Sequence, residues 1–386
     1  MIYLDHNATT ACDAVVLEEM RPWFSEKFHN PSSVYSASGE ARRAIEKARE
    51  QTASILGCSA GEIIFTSGGT ESDNMAILGT ALAQKAKGNH IITTKIEHHA
   101  VLNTCKFAAR HLGCEVTYLS VDKYGMVDPD ELKEAITSKT ILITVMYANN
   151  EIGTIEPIEE IAAIAHEAGV AFHTDAVQAV GKIPLSVKKI GCDFLSLSAH
   201  KFYGPKGIGA LYVRKGVKWT PLFSGGGQEK GRRPGTENVA GIVGLGKACE
   251  LAASRMDEDS IKEKKLRDQL EQGIVERVPE VIINGHPEKR LYNTSNICVK
   301  YVEGESMLLG LDFEGILASS ASACTSGSLE PSHVLLAIGV PVEIAHGSLR
   351  FSFGRDNTEN DVARTIEVLP TIVERLRKMS PFWDKK

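Results

Sequence analysis

The stretch LSLSAHKFYGPKGIGALYV (195–213) contains two apolar, strand-length runs joined by a turn rich in Gly and Pro. The first run ends at Ser198, and His200 and Lys201 follow it directly. A lysine at the end of a buried strand loses hydration, which lowers its pKa and lets it attack a carbonyl to form a Schiff base. The alternative is a lysine whose stem lies along the sheet edge while its charge reaches water.

Similar apolar runs recur between about residues 40 and 250, separated by helical patterns. The runs include EIIFTS (62–67), HIITT (90–94), ILITVMY (141–147), VAFHTD (170–175) and FLSLS (194–198). Several are apolar throughout, which is typical of parallel strands covered on both faces. Between them lie helix patterns such as PIEEIAAIAHEAG (157–169), with Pro at its start and Gly at its end. This alternation predicts an α/β fold with right-handed crossovers.

The second half of the chain differs in pattern. Ten of the fourteen residues 255–268 are charged, which predicts a solvated helix face and a connector into a second domain. A long helix is predicted over 359–379.

Composition excludes several classes of protein. The 386 residues are 43% hydrophobic and 24% charged, which argues against disorder. The net charge of −6 provides no basic field for nucleic acid or an anionic membrane. No run approaches the roughly 18 apolar residues of a membrane span, and no signal peptide is visible at MIYLDHNATT. The eight cysteines contain no C-x-x-C pair, so no metal site is predicted. We expect a cytoplasmic protein.

Two further motifs follow predicted strands. SGGTESDN (67–74) joins a strand to a helix through glycines, and such a turn binds anions through backbone N–H groups and the helix dipole. The alternative is an ordinary turn with Thr70 as helix cap. Asp175 ends the run VAFHTD, where a buried carboxylate is costly unless a cation meets it. The alternative there is a cap on the next helix.

Taken together, these features match the needs of pyridoxal 5′-phosphate. Its phosphate needs donors, its ring nitrogen needs an anion, and its aldehyde needs an amine. Those needs would be met by the 67–74 turn, Asp175 and Lys201. His98, in TTKIEHHAVL, is the candidate to stack on the ring.

The chain resembles the cysteine desulfurases of the aminotransferase class V group, and more closely the NifS/IscS type. The likeness runs nearly end to end. It includes YLDHNATT (3–10), NPSSVYSASG (30–39), ANNEIGT (148–154), HTDAVQAVGK (173–182), SAHKFYGPKGIG (198–209), GRRPGTEN (231–238), SSASACTSGSLEPSHV (319–334) and AHGSLRFSFGR (345–355).

The resemblance implies a fold and a set of roles. The fold is that of the fold type I pyridoxal-phosphate enzymes, with a mostly parallel seven-stranded sheet. A large cofactor-binding domain spans 12–256, and a smaller α/β domain spans 1–11 and 257–386. For the cofactor ring, the resemblance implies that Lys201 forms the imine, Asp175 pairs with the ring nitrogen, Gln178 hydrogen-bonds the phenolic oxygen, and His98 stacks on the ring and acts as an acid–base group. For the phosphate, it implies binding by Gly69, Thr70, Ser198 and His200, with a contact from Thr236 of the other subunit. Asn150 would contact cofactor and substrate, and Arg350 would bind the substrate carboxylate.

Cys324 lies in SSASACTSGS (319–328), where five of ten residues are Ser. Such a segment predicts a flexible polar loop, and a thiol there can ionise and travel. The resemblance implies that Cys324 takes sulfur from L-cysteine as a persulfide and passes it to an iron–sulfur scaffold protein (IscU/NifU-like). It also implies a homodimer. The alternatives are a selenocysteine lyase or an aminotransferase on the same scaffold, or a non-catalytic iron–sulfur scaffold.

Overall fold

The computed structural model describes residues 1–320, 330–380 and 383. In chain order the strands are β1 (Ile2–Tyr3), β2 (Ile63–Thr66), β3 (His90–Thr94), β4 (Glu115–Leu119), β5 (Thr140–Thr144), β6 (Ala171–Asp175), β7 (Phe194–Ser198), β8 (Gly209–Val213), β9 (Val281–Asn284), β10 (Thr294–Val299), β11 (Ile316–Leu317) and β12 (Ser348–Ser352). The helices are α1 (Ala14–Met20), α2 (Pro22–Ser25), α3 (Ser36–Leu56), α4 (Gly69–Ala83), α5 (His99–Leu112), α6 (Pro129–Ala135), α7 (Ile158–Glu167), α8 (Val187–Ile190), α9 (Val239–Arg277), α10 (Gly304–Phe313), α11 (His333–Ala337), α12 (Val342–Ala345) and α13 (Glu359–Met379).

A seven-stranded sheet with the order β2-β8-β7-β6-β5-β3-β4 forms the centre of the fold. Its strands run parallel except β8, which is antiparallel to both β2 and β7. The predicted α/β class with a mostly parallel sheet is therefore confirmed. The neighbours β6 and β7 pair in parallel with Asp175 opposite Ser196, so their carboxyl ends meet at one edge. Ligands of open α/β sheets bind at this edge.

Two apolar cores share helix α9. Leu245 and Ala248, in its first half, pack in the core around the large sheet. Leu266 and Ile274, in its second half, pack in a core that also holds Leu4 and residues of β10, β12 and α13. The three-stranded antiparallel sheet β12-β10-β9 and the parallel pair β1-β11 border this second core. The domain boundaries at residues 12 and 257 stay a prediction.

The charged segment 255–268 corrects one expectation. It belongs to α9, but it is not a fully solvated face, because Asp259, Glu263 and Arg267 are buried. Asp259 accepts a hydrogen bond from Arg355 at 2.6 Å, and Arg267 donates to the carbonyl of Leu291 at 3.1 Å. These partners lie far along the chain, so local charge density could not reveal the burial. No helix within the described part of the chain could span a membrane.

Candidate active site

A cavity of about 330 Å³ lies at the carboxyl ends of β6 and β7. That volume is within the usual range for small-molecule sites. Most of the residues predicted from the sequence line it. They are Gly69, Thr70, His98, Asn150, Asp175, Gln178, Ser198, His200, Lys201 and Arg350.

One end of the cavity presents hydrogen-bond donors. Helix α4 begins at Gly69, and the N–H groups of its first turn have no partner within the helix. A side chain at Gly69 would place its Cβ 2.6 Å from Val177 Cγ2, so only glycine lets the backbone approach Val177, two residues after β6, this closely. The hydroxyl of Ser198 and the ring of His200 line the same cavity. Burial and the nearby Lys201 lower the pKa of His200 to about 4, so its ring is neutral at pH 7. This end suits a phosphate.

Asp175 provides a buried carboxylate. One of its oxygens accepts the Val177 N–H at 2.9 Å. Burial raises the pKa of Asp175 above its ordinary value, while the Val177 N–H and Lys201 lower it. Asp73, for which no role was predicted, also lines the cavity and is fully buried. Burial, followed by the charge of Asp175, raises its pKa. A cation beside Asp175 would therefore stabilise its ionised form.

Lys201 follows β7 in a 3-10 turn, Ala199–Lys201. Its Nζ donates to the backbone carbonyl of Asn7 at 2.6 Å and to that of Ala8 at 2.9 Å. Asn7 and Ala8 belong to the motif YLDHNATT (3–10), and no role was predicted for either residue. These contacts could not be predicted from the sequence, because every residue type has a backbone carbonyl and Asn7 lies 194 residues from Lys201.

His98 is the N-cap of α5. Its Nδ1 accepts the Ala100 N–H at 3.1 Å, so in the neutral ring the proton resides on Nε2. Burial, with Lys201 and His99, lowers the pKa of His98 to about 4. The ring that faces the cavity is therefore a neutral imidazole with a defined tautomer.

Arg350, in β12, forms structural contacts and also lines the cavity. Its Nη2 donates to Asp5 at 2.7 Å, which is a structural ion pair, and its Nη1 donates to the Asn150 carbonyl at 3.0 Å. The side chain nevertheless lines the cavity, as does Asn150. Since a guanidinium has five N–H donors, these contacts leave donors for a carboxylate.

One predicted residue in the described part of the chain, Thr236, does not line the cavity. Thr236 is exposed in the segment between the turn Gln228–Gly231 and α9. Cys324 lies outside the described residues. On either side of that gap, Ser319 pairs its backbone with Arg350, and Ser332 donates to the buried Glu151 at 2.5 Å. Ser319 thus pairs with Arg350, which lines the cavity, and Ser332 contacts Glu151, the chain neighbour of the cavity-lining Asn150.

The groups that line the cavity fit pyridoxal phosphate. It comprises unpaired helix N–H groups and hydroxyls at one end, a buried carboxylate, a lysine amine and a neutral imidazole. Within the described residues, no group of three or more His, Cys, Asp or Glu side chains is arranged to hold a metal ion.

Fold and site together define an α/β enzyme whose cavity holds a lysine and a buried carboxylate. Residues 2–365 match the model of the aminotransferase class-V family, and the chain belongs to that family. It is 57% identical to "Cysteine desulfurase IscS" of Methanosarcina thermophila over 385 residues, which is 100% of this chain and 95% of that protein.

Solved structures agree with this assignment. A structure titled "NIFS-LIKE PROTEIN" has a TM-score of 0.92 and 40% identity, and the match covers 97% of this chain and 100% of that one. "SspA in complex with cysteine" has a TM-score of 0.81 and 39% identity, and the match covers 92% of this chain and 99% of that one.

Proposed function

We propose that this protein is a pyridoxal-phosphate-dependent cysteine desulfurase, which converts L-cysteine to L-alanine and passes the sulfur to Cys324 as a persulfide. The observation that carries the proposal is the meeting of Lys201, Asp175 and the N-terminus of α4 in one cavity. Identity of 57% to a cysteine desulfurase and of 39% to a protein solved with cysteine supports this choice of substrate.

When bound, pyridoxal phosphate supplies an aldehyde that joins amines and a ring that accepts electrons from the substrate Cα. Lys201 Nζ would hold the cofactor through its aldehyde, and its free amine would move the proton at the substrate Cα. Asp175 would hold the ring nitrogen in its protonated form, because a buried carboxylate gains most from an adjacent cation. His98 holds a proton on Nε2 and exchanges it with the substrate sulfur.

Arg350 and Asn150 orient the substrate. The guanidinium binds the α-carboxylate with the donors that its contacts to Asp5 and Asn150 leave over. The Asp5 contact holds the guanidinium plane in place, so less rotamer entropy is lost when the substrate binds.

Sulfur transfer to Cys324 balances without an outside reagent. The Cβ–S bond of cysteine breaks, Cβ is reduced to the methyl group of alanine, and the sulfur is oxidised as an S–S bond to Cys324 forms. The thiol proton of Cys324 is released as the thiolate attacks, and a proton is taken up at Cβ.

The protein acts as a homodimer in which Thr236 of each chain completes the phosphate site of the other. Its exposure, outside the cavity of its own chain, supports this arrangement. So do large apolar side chains on the surface of the same chain, with Phe28 69% and Val34 99% exposed. The sulfur goes to a scaffold protein of iron–sulfur cluster assembly. We place the reaction in the cytoplasm, where thiols stay reduced, since all described cysteines are free.

The test is an absorbance spectrum before and after L-cysteine, with alanine and sulfide measured together. We expect a yellow protein that forms both products in the presence of a thiol. Lys201→Ala should abolish turnover. Cys324→Ser should stay yellow but lose sulfide release, whereas the matched control Cys58→Ser should keep it, because burial raises the pKa of Cys58 to about 12.

Other outcomes would point elsewhere. A keto acid in place of alanine would indicate an aminotransferase, and a strong preference for selenocysteine would indicate a lyase. A protein that stays colourless with pyridoxal phosphate but binds iron would indicate a scaffold. Normal turnover by Cys324→Ser would refute the proposed sulfur acceptor.

A further inference from the structure

A second lysine, Lys182, lies buried behind the cavity and has no part in the reaction described so far. It is 7% exposed. Its Nζ donates to Gln178 Oε1 at 2.7 Å and to Asn7 Oδ1 at 3.3 Å. Lys182 does not line the cavity itself, but Gln178 and Asn7 do. Among the described residues that line the cavity, Lys182 therefore hydrogen-bonds to the side chains of Gln178 and Asn7.

These contacts determine which way the Gln178 amide faces. An amine presents N–H donors, so the atom 2.7 Å from Lys182 Nζ is the amide oxygen. On the other side, Gln178 Nε2 donates to the Asn7 backbone carbonyl at 2.9 Å, and a carbonyl only accepts. A flipped amide would place its oxygen against the Asn7 carbonyl. The two contacts together leave one N–H of Gln178 for a ligand.

The position of that remaining N–H follows from a shared acceptor. Gln178 Nε2 and Lys201 Nζ both donate to the carbonyl oxygen of Asn7, at 2.9 and 2.6 Å, so the two nitrogens are close neighbours. In pyridoxal phosphate the phenolic oxygen is on the ring carbon next to the one that bears the aldehyde. When Lys201 holds the aldehyde, a donor beside Lys201 Nζ meets that oxygen.

We propose that Lys182 is a positioning residue, which fixes the amide of Gln178 so that one N–H is directed at the phenolic oxygen of the cofactor. The inference rests on the proposed function, since it concerns the cofactor named there. Lys182 also polarises the amide by donating to its oxygen, and this strengthens the N–H on the opposite side as a donor.

The charges around Lys182 leave this role intact. Burial, followed by the charge of Lys201, lowers the pKa of Lys182 to about 7, and Glu263 opposes this shift. Glu263 and Asp259 from α9, His6, Tyr203 and Tyr292 line a small cavity beside Lys182. A neutral amine still has two N–H groups, which is the number that Gln178 and Asn7 accept. The positioning role therefore holds in either protonation state.

The test is an absorbance titration of the loaded enzyme, which measures the pKa of the imine between Lys201 and the cofactor. The phenolic oxygen accepts a hydrogen bond from the protonated imine. A second donor to this oxygen weakens that bond, so the imine should keep its proton to higher pH when the donor is lost. We expect Lys182→Met to raise this pKa by about one unit. The control Lys188→Met, at an exposed lysine on the same chain segment, should leave it unchanged.

A double-mutant cycle shows whether Lys182 acts through Gln178. Gln178→Leu should raise the imine pKa by a similar amount, and adding Lys182→Met should then raise it little further. A full additional shift would mean that the lysine charge acts directly on Lys201, and it would overturn the proposal. In steady state, kcat should fall while KM for cysteine changes little, because Gln178 contacts the cofactor rather than the substrate.

The remaining outcomes are also decisive. A yellow Lys182→Met protein with an unshifted titration would overturn this inference alone. If Lys182→Met does not fold, Gln178→Leu still decides, since an unshifted pKa in that variant overturns the proposal. A colourless unaltered protein would overturn the proposed function, and this inference with it.

Discussion

Glu229 forms a buried ion pair whose loss should destabilise the protein. It lies in the turn Gln228–Gly231, just before the segment that carries Thr236. Its carboxylate accepts from Arg49 Nη2 at 2.7 Å, from Arg49 Nη1 at 2.8 Å and from the Phe65 N–H of β2 at 3.1 Å. Only 8% of the Arg49 side chain and 4% of the Glu229 side chain are exposed. The pair therefore ties this turn to α3 and to the edge strand β2.

Glu229→Gln keeps the shape of the side chain but leaves the buried Arg49 guanidinium with only Glu46 as a counter-charge, an exposed carboxylate 3.2 Å from its Nε. Breaking a buried pair from one side costs about 3–5 kcal/mol. The entropy of unfolding, about 2 cal/mol/K per residue, converts this to a fall in Tm of roughly 4–6 °C for a chain of this length. Replacing both partners, as Arg49→Met with Glu229→Leu, should cost about 1–3 kcal/mol, since the Phe65 N–H then stays unpaired.

The assay is thermal unfolding of the cofactor-loaded protein, followed by calorimetry. The matched control is Glu314→Gln, which removes a carboxylate from a pair with Arg364 that has the same 2.7 Å separation but is 43% and 45% exposed. An exposed pair contributes about 0–1 kcal/mol, so the control should lose about 1 °C or less. Equal falls in Tm for the two variants would refute the claim that burial sets the cost.

Three further changes test the cavity. Gly69→Ala should weaken cofactor binding about tenfold in a dissociation assay, because its Cβ would be 2.6 Å from Val177 Cγ2, whereas Gly61→Ala, with nothing within 4 Å, should not. His98→Asn should keep α5, since Asn also caps helices, but lose most desulfurase activity and the native cofactor spectrum. Burial raises the pKa of Glu151 from 4.5 to about 7. The contribution of this group to stability is therefore fully present below pH 4.5 and is lost as pH rises through 7. Glu151→Gln should flatten the resulting fall in Tm between pH 5 and 8.

The regular elements could be predicted closely because their signals are local. HIITT (90–94), FLSLS (194–198) and GALYV (209–213) coincide with β3, β7 and β8. The helix predicted over 359–379 coincides with α13. Thr358 and Asp361 form a capping box at its N-terminus. Apolar runs and caps depend on residues only a few positions apart. The antiparallel direction of β8 could not be predicted in this way, because it depends on the placement of β8 between β2 and β7 in the sheet.

Several chemistry-bearing side chains of the cavity could also be predicted, since Asp175 and Ser198 end strands and Lys201 closely follows one. The residues that support them could not. Asn7 accepts from Lys201, Gln178 and Lys182, and it donates to Thr294 at 2.8 Å, across as many as 287 positions. Asn is common in turns, so its type gave no indication that it connects four parts of the chain.

The buried acids beneath the cavity explain why the site and its cofactor depend on each other. Burial raises the pKa of Asp73, Glu97 and Asp175, so each is harder to ionise there than in water. Glu97 is compensated in part by the Met146 N–H and the Thr94 hydroxyl. Asp175 has the Val177 N–H and the charge of Lys201, and a protonated ring nitrogen bound as proposed above would add a second cation. Because such a cation would bind only the folded chain, we expect cofactor loading to stabilise the fold and to favour the ionised form of Asp175 together. On this proposal the buried acids cost stability in the unloaded chain, and the bound cation would offset part of that cost at Asp175.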